Sequence, residues 1–154
     1  MSPRETIPIA SDHAGFEMKE RLVGVLRKMG YDVQDLGTNS PEASDYPDFA
    51  HPLAEEVSRG EAKRGVLLCG SGVGMDIAAN RHPGVRAALA WAPEIAELSR
   101  RHNDANVLVL PARFVSEETA ERILSTWLTT EFEGGRHARR VHKIDHDAVE
   151  KERR

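Results

Sequence analysis

Hydrophobic positions along this chain alternate between two spacings. Short apolar runs at Ile7-Pro8-Ile9-Ala10, Gly65 to Cys69, Val85 to Ala90 and Asn106 to Leu110 have the length of strands, and Tyr31-Asp32-Val33-Gln34-Asp35-Leu36, with polar residues between apolar ones, reads as another. Between them, apolar residues recur at helical spacing. Leu22, Val23, Leu26 and Met29 precede Gly30, and Ala50, Leu53, Ala54 and Val57 precede Gly60. Met75 to Asn80 has good helix formers, Pro93 begins a helix through Leu98, and Ser116 is placed to cap the helix that carries Ile123, Leu124 and Trp127. After Gly134-Gly135, Val141, Ile144 and Ala148 predict a last helix, followed by a charged, mobile tail at Lys151-Glu152-Arg153-Arg154. Strands joined by helices predict an α/β fold with a parallel sheet.

With 154 residues, 40% of them hydrophobic, the chain can build one core, so a single domain over 1–154 is expected, with 136–154 as C-terminal helix and tail. A net charge of −4 gives no general basic footprint for nucleic acid. The charge is uneven, however, because Arg136, His137, Arg139, Arg140, His142, Lys143 and His146 crowd the C-terminal segment. No apolar stretch approaches the roughly 20 residues of a membrane span, and the N-terminus lacks an apolar signal region. Neither nucleic acid nor membrane is expected as a partner, and the cytoplasm is the default location.

The chain's one cysteine changes this picture. Cys69 ends an apolar run and opens Gly70-Ser71-Gly72-Val73-Gly74, a glycine-rich turn into a helix. The turn leaves backbone N–H groups of residues 70 to 75 free to face one anion beside a reactive sulfur. Three familiar loops are excluded by Met75. It stands where a dinucleotide fingerprint needs glycine or alanine, where a nucleotide-hydrolase phosphate loop needs its Gly-Lys-Ser/Thr, and where cysteine phosphatases place arginine. A buried core cysteine before a tight turn is the plain alternative.

Parallel sheets bind ligands at the C-terminal ends of their strands. Asp12 and His13 follow the first strand, Cys69 ends the third and Arg113 follows the fifth, while His102 and Asn103 precede the fifth at the end of a helix. Each has a plain reading. Asp12 is placed as an N-cap, His102 complements a helix dipole beside Arg100 and Arg101, and Asn103 suits a left-handed cap. Arg136 and Arg140, four residues apart, share a helix face that suits either a phosphate grip or a solvated basic surface. Their joint occurrence with Cys69 in one small domain favours a phosphate-binding site.

Ser11-Asp12-His13-Ala14-Gly15-Phe16, Asp45-Tyr46-Pro47, Cys69 to Gly74, Ile77-Ala78-Ala79-Asn80, Arg101 to Leu108 and Glu133-Gly134-Gly135-Arg136-His137 occur in this order. In this the chain resembles the ribose-5-phosphate isomerase B family, which includes galactose-6-phosphate and allose-6-phosphate isomerases. The resemblance runs from about residue 7 to residue 145. It implies a three-layer α/β/α Rossmann-like sandwich with a five-stranded parallel sheet. It also implies aldose–ketose isomerisation of a sugar phosphate without metal or organic cofactor, through a cis-enediolate.

In the family, the cysteine at the position of Cys69 is the base, and the amides of Gly70, Ser71, Gly72, Val73 and Gly74 with the Ser71 hydroxyl stabilise the enediolate. The resemblance implies that His102, with Asp12 as partner, opens the sugar ring. It likewise implies that Asn103 and Tyr46 hold hydroxyls or the sugar edge, and that His13, Arg113, Arg136 and Arg140 bind phosphate. Sites assembled from two subunits are implied, hence a homodimer or tetramer. Some members use a glutamate at the position of Met75; methionine cannot accept a proton, so the role falls to Cys69. Asp76 is an unusual neighbour that would tune Cys69, and Leu110-Pro111-Ala112 is an unusual approach to Arg113. Ribose 5-phosphate is the expected substrate. The alternatives are an allose or galactose 6-phosphate isomerase, a non-catalytic binder of phosphorylated sugars, and a redox module that reads oxidation of Cys69.

Overall fold

The computed structural model describes residues 4–146. Five strands, β1 (Thr6–Ser11), β2 (Asp32–Asp35), β3 (Gly65–Cys69), β4 (Ala87–Leu89) and β5 (Val107–Pro111), form one sheet in the order β2-β1-β3-β5-β4. Every pairing is parallel. Six helices connect and cover them: α1 (Phe16–Lys28), α2 (Pro47–Ser58), α3 (Val73–Ala79), α4 (Pro93–Asn103), α5 (Glu117–Thr129) and α6 (Arg136–Asp145).

The strand side chains sort by the two-residue period into two cores. Ile7, Ile9, Val66, Leu68, Leu108 and Leu110 pack with α1, α4 and α5, while Ala10, Leu67, Cys69, Val107 and Val109 pack with α2 and α3. This is the expected three-layer α/β/α sandwich, and Cys69 belongs to the face covered by α2 and α3. The register that pairs Cys69 with Pro111 brings the ends of β3 and β5 level. The amide of Ala112 then donates to the Cys69 carbonyl at 2.9 Å and that of Arg113 to the Gly70 carbonyl at 3.0 Å.

The elements follow the hydrophobic pattern with small differences at their ends. β4 is shorter than the apolar run predicts, because Arg86 is drawn off by side chains: its amide donates to Asn106 Oδ1 at 2.8 Å and its guanidinium pairs with Asp145 at 2.9 Å. The latter bond ties the end of α6 to the start of β4. Ser116 caps α5 as predicted, accepting from the Thr119 amide at 3.1 Å. The left-handed residue that closes α4 is Asp104, with φ of 46°, and Asn103 is the last helical residue. The expected helix after Gly134-Gly135 is α6, whereas Ala148 and the predicted tail lie outside the described residues. Among the described residues no helix is long and apolar enough to cross a membrane.

Candidate active site

A cleft of about 350 Å³ opens at the C-terminal edge of the sheet, lined by Asp12, His13, Ala14, Tyr46, Cys69, Gly70, Ser71, Gly74, Arg113 and Phe114. Its floor is the turn after β3. Cys69 is only 4% exposed, so the sulfur lies at the base of the cleft. Gly72 at the start of α3 has φ of +78°, a left-handed conformation that an L side chain adopts only with strain. A Cβ there would also collide with Leu89. Gly74 is required by closeness, since a Cβ would stand 2.6 Å from the Tyr46 ring. Tyr46 therefore lies directly over the turn, 40% exposed, as one wall of the cleft. Gly70 is covered by the Arg113 side chain, whose guanidinium would stand 3.2 Å from a Cβ there. The unusual Leu110-Pro111-Ala112 approach thus still delivers Arg113 to the cleft.

Side chains around the turn are fixed by backbone groups. Ser71 Oγ accepts from the Val73 amide at 3.2 Å, which leaves its O–H free to donate. Asp12 Oδ1 accepts from the amides of Ala14 and Gly15 at 3.0 and 3.3 Å. Asp12 is therefore the cap that its place before a helical turn predicts, and it lines the cleft as well. His13 exchanges two bonds with Ser44: its amide donates to Ser44 Oγ, and its Nδ1 accepts from the Ser44 amide, both at 3.1 Å. A backbone N–H can only donate, so the ring proton of His13 is on Nε2. Ser44 and Phe114 were not singled out from the sequence. Ser44 stands just before Asp45-Tyr46-Pro47, the one local sign of its role.

Asp76 turns away from the cleft toward β4. Burial pushes its carboxyl up to about 6, against the pull of the Leu89 amide, and its Oδ1 is buried without a partner. Met75 is wholly buried in the core.

The remaining sequence-predicted residues form a second group. α4 runs back to the edge where the strands begin, so His102 and Asn103 at its end lie away from the Cys69 cleft. Asn103 lines a separate hollow of about 230 Å³ with Asn80, Val85 and Ile144. The His102 ring stacks on that of His137, with centroids 4.2 Å apart and planes within 11°. Glu133 reaches His137 Nε2 at 3.6 Å, and its amide donates to the Arg101 carbonyl at 3.1 Å. Burial, then the adjoining His102 and Arg136, hold the His137 imidazole below its ordinary value, while Glu133 opposes them. Arg136 and Arg140 are exposed on α6, and among the described residues neither forms an ion pair.

A doubly covered parallel sheet with a cysteine-bearing turn at its C-terminal edge, a histidine and an arginine facing the same cleft, defines a small α/β enzyme that handles an anionic ligand. Residues 7–144 match the model of the family described as Ribose/Galactose Isomerase. The chain is 45% identical over 147 residues to the ribose-5-phosphate isomerase B of Escherichia coli (strain K12), covering 96% of this chain and 97% of that one. A crystal structure of a ribose 5-phosphate isomerase from Thermotoga maritima superposes with a TM-score of 0.89 at 51% identity, covering 93% of this chain and 99% of the other. The ribose-5-phosphate isomerase B of Mycoplasma genitalium, solved with bound ribulose-5-phosphate, has a TM-score of 0.90 at 44% identity, with 96% and 97% covered. The chain belongs to the ribose/galactose isomerase family, in its ribose-5-phosphate isomerase B branch. It is an aldose–ketose isomerase.

Proposed function

We propose that this enzyme interconverts ribose 5-phosphate and ribulose 5-phosphate, with Cys69 as the base. The observation that carries the reading is the floor of the cleft, where the Cys69 side chain lies beside the Gly70–Gly74 turn and a free Ser71 O–H. The thiolate of Cys69 takes the proton from C2 of the open aldose. The oxygen charge that develops meets the Ser71 hydroxyl and the turn amides other than that of Val73, which is already bonded to Ser71 Oγ. These donors are held in place before the reaction begins. The proton returns to C1 while the O2 hydroxyl proton passes to O1, so the product is an isomer and no group is lost.

His102, with Asp12, opens the ring, Asn103 and Tyr46 hold hydroxyls, and His13, Arg113, Arg136 and Arg140 take the phosphate. His102, Asn103, Arg136 and Arg140 come from a second copy of the chain. Their place at the opposite sheet edge supports this, because one chain alone keeps them apart from Cys69. A homodimer with two shared sites follows.

Turnover of ribose 5-phosphate by Cys69→Ala tests the base. A loss of roughly 10² to 10⁴ in kcat with KM little changed is expected. Unchanged kcat with a raised KM would make Cys69 a binding residue only. Faster turnover of allose 6-phosphate or galactose 6-phosphate by the intact enzyme would move the substrate while leaving the base.

A further inference from the structure

His102, Glu133 and His137 offer one ligand atom each, all within 4.8 Å of one another. Two of the three are tied together by the backbone. Glu133 and His137 are four residues apart, and the Glu133 amide is bonded to the carbonyl of Arg101, the residue before His102. His137 Nε2 and Glu133 Oε2 stand 3.6 Å apart, against about 3.3 Å between two ligands of a tetrahedral zinc ion. Because the two imidazoles stack with planes within 11°, their in-plane lone pairs run side by side, so binding takes a rotation of His102 that unstacks the rings and brings ligand atoms now within 4.8 Å to about 3.3 Å. His102 is half-buried and Glu133 exposed, so an ion can enter from solvent.

We propose that His102, Glu133 and His137 bind a late first-row divalent cation, zinc being the best match, and that the bound ion inhibits the isomerase. Two imidazoles and one carboxylate form a donor set suited to zinc and to its neighbours in the series, whereas magnesium and calcium require oxygen ligands. Three protein ligands leave a fourth position for water. The ion occupies a ring nitrogen of His102 and removes it from proton exchange with the sugar. The inhibitory half of the proposal therefore rests on the ring-opening role proposed above; the binding half does not. Arg101, Arg136 and Arg140 nearby oppose a cation, so a dissociation constant on the order of micromolar is expected rather than the tighter binding of a structural site.

The test titrates zinc, and cobalt as its spectroscopic substitute, into the full chain stripped of metal by a chelator. One ion per chain is expected, with a tetrahedral cobalt spectrum that lacks a thiolate charge-transfer band. The exposed Glu133→Gln should keep its metal-free turnover and bind at least ten times more weakly, and His137→Asn should weaken binding at least as much. Zinc should inhibit the intact enzyme over the same concentrations at which it binds, and chelator should restore turnover.

A thiolate band would place the ion on Cys69. Affinity unchanged in both variants would place it elsewhere, for instance on His51 and His82, whose ring nitrogens stand 2.7 Å apart. Either outcome, or no cobalt spectrum at millimolar metal, overturns the site. Binding with the expected variant pattern but without inhibition overturns the inhibitory half and the ring-opening role of His102 with it. A protein that binds zinc in this pattern yet isomerises no sugar phosphate supports the metal site while overturning the proposed function, so the two failures are distinguishable.

Discussion

The Cys69 cleft and the group around His102 are built by different means. In the cleft, backbone atoms do most of the positioning: the register of β3 and β5 sets the floor, Gly72 and Gly74 admit Leu89 and Tyr46 at close range, and Asp12, His13 and Ser71 are each held by main-chain amides. At the other sheet edge, side chains hold one another. His102 stacks on His137, Glu133 reaches His137, and Arg136 and Arg140 stand exposed on a helix that the Arg86–Asp145 pair helps to anchor. A transition state needs donors fixed beforehand, and the sheet supplies them. A phosphate and a ring oxygen require reach and charge, which surface helices supply. On the proposed function, the site is completed only when one copy brings its second region to the first region of another.

The strongest way to break this comparison is to damage one region in each of two chains. Cys69→Ala and His102→Asn are each expected to be nearly inactive as pure proteins. After mixing with subunit exchange, half of the dimers carry one of each chain, and each of these has one site with neither change. Recovery of about one quarter of full activity is expected from that symmetry. No recovery in a mixture shown by mass spectrometry to contain mixed dimers would mean that each site is made by one chain.

A smaller effect separates the regions by stiffness. Gly72→Ala forces a left-handed alanine against Leu89, and a loss of about 2–3 kcal/mol is expected in denaturant unfolding, together with a fall in kcat as the turn amides shift. Gly60→Ala offers the contrast, because Gly60, just past α2, also has a positive φ, +77°, but nothing stands within 4 Å of the added atom. About 1 kcal/mol, the strain alone, is expected there. Equal losses at the two positions would mean that the cleft turn is no more tightly packed than the exposed end of α2.

The first region was far more legible in the sequence than the second. Gly65 to Cys69 is bounded by β3 as the apolar run predicts, because a strand buried on both faces announces itself by continuous hydrophobic residues. The glycines of the turn declare a close approach even before the approaching groups are known, although Tyr46 and Leu89 themselves could not be read from spacing. Ser44 was missed because its bond to His13 spans 31 residues through a loop without periodicity. At the second region, the arginine pair was visible at its helical spacing. That His102 and the arginines stand apart from Cys69 within one chain was not visible, since local pattern carries no information about which sheet edge a helix end reaches. The proposed division between subunits rests instead on the family resemblance.

The smallest expected effect probes the rear of the turn, where the stiffer region is not uniformly stable. Asp76 lies in the first turn of α3 with Oδ1 buried and unpartnered, and its carboxyl is pushed up from 3.8 to about 6 by burial. Between these values the folded chain holds a proton that the unfolded chain has released. The native state therefore binds more protons, and its stability falls as pH rises through that window. Above it, folding retains a half-buried carboxylate, and the full cost is present. Asp76→Asn removes the charge and keeps an acceptor for the Leu89 amide. A gain on the order of 1 kcal/mol is expected at pH 8, discounted for the partial exposure of the group, and little change below pH 4. Denaturant midpoints at the two pH values measure the difference. A variant less stable than the parent at pH 8 would mean that the carboxylate is held by a favourable interaction, and that the turn behind Cys69 draws support from Asp76 instead of bearing a cost there.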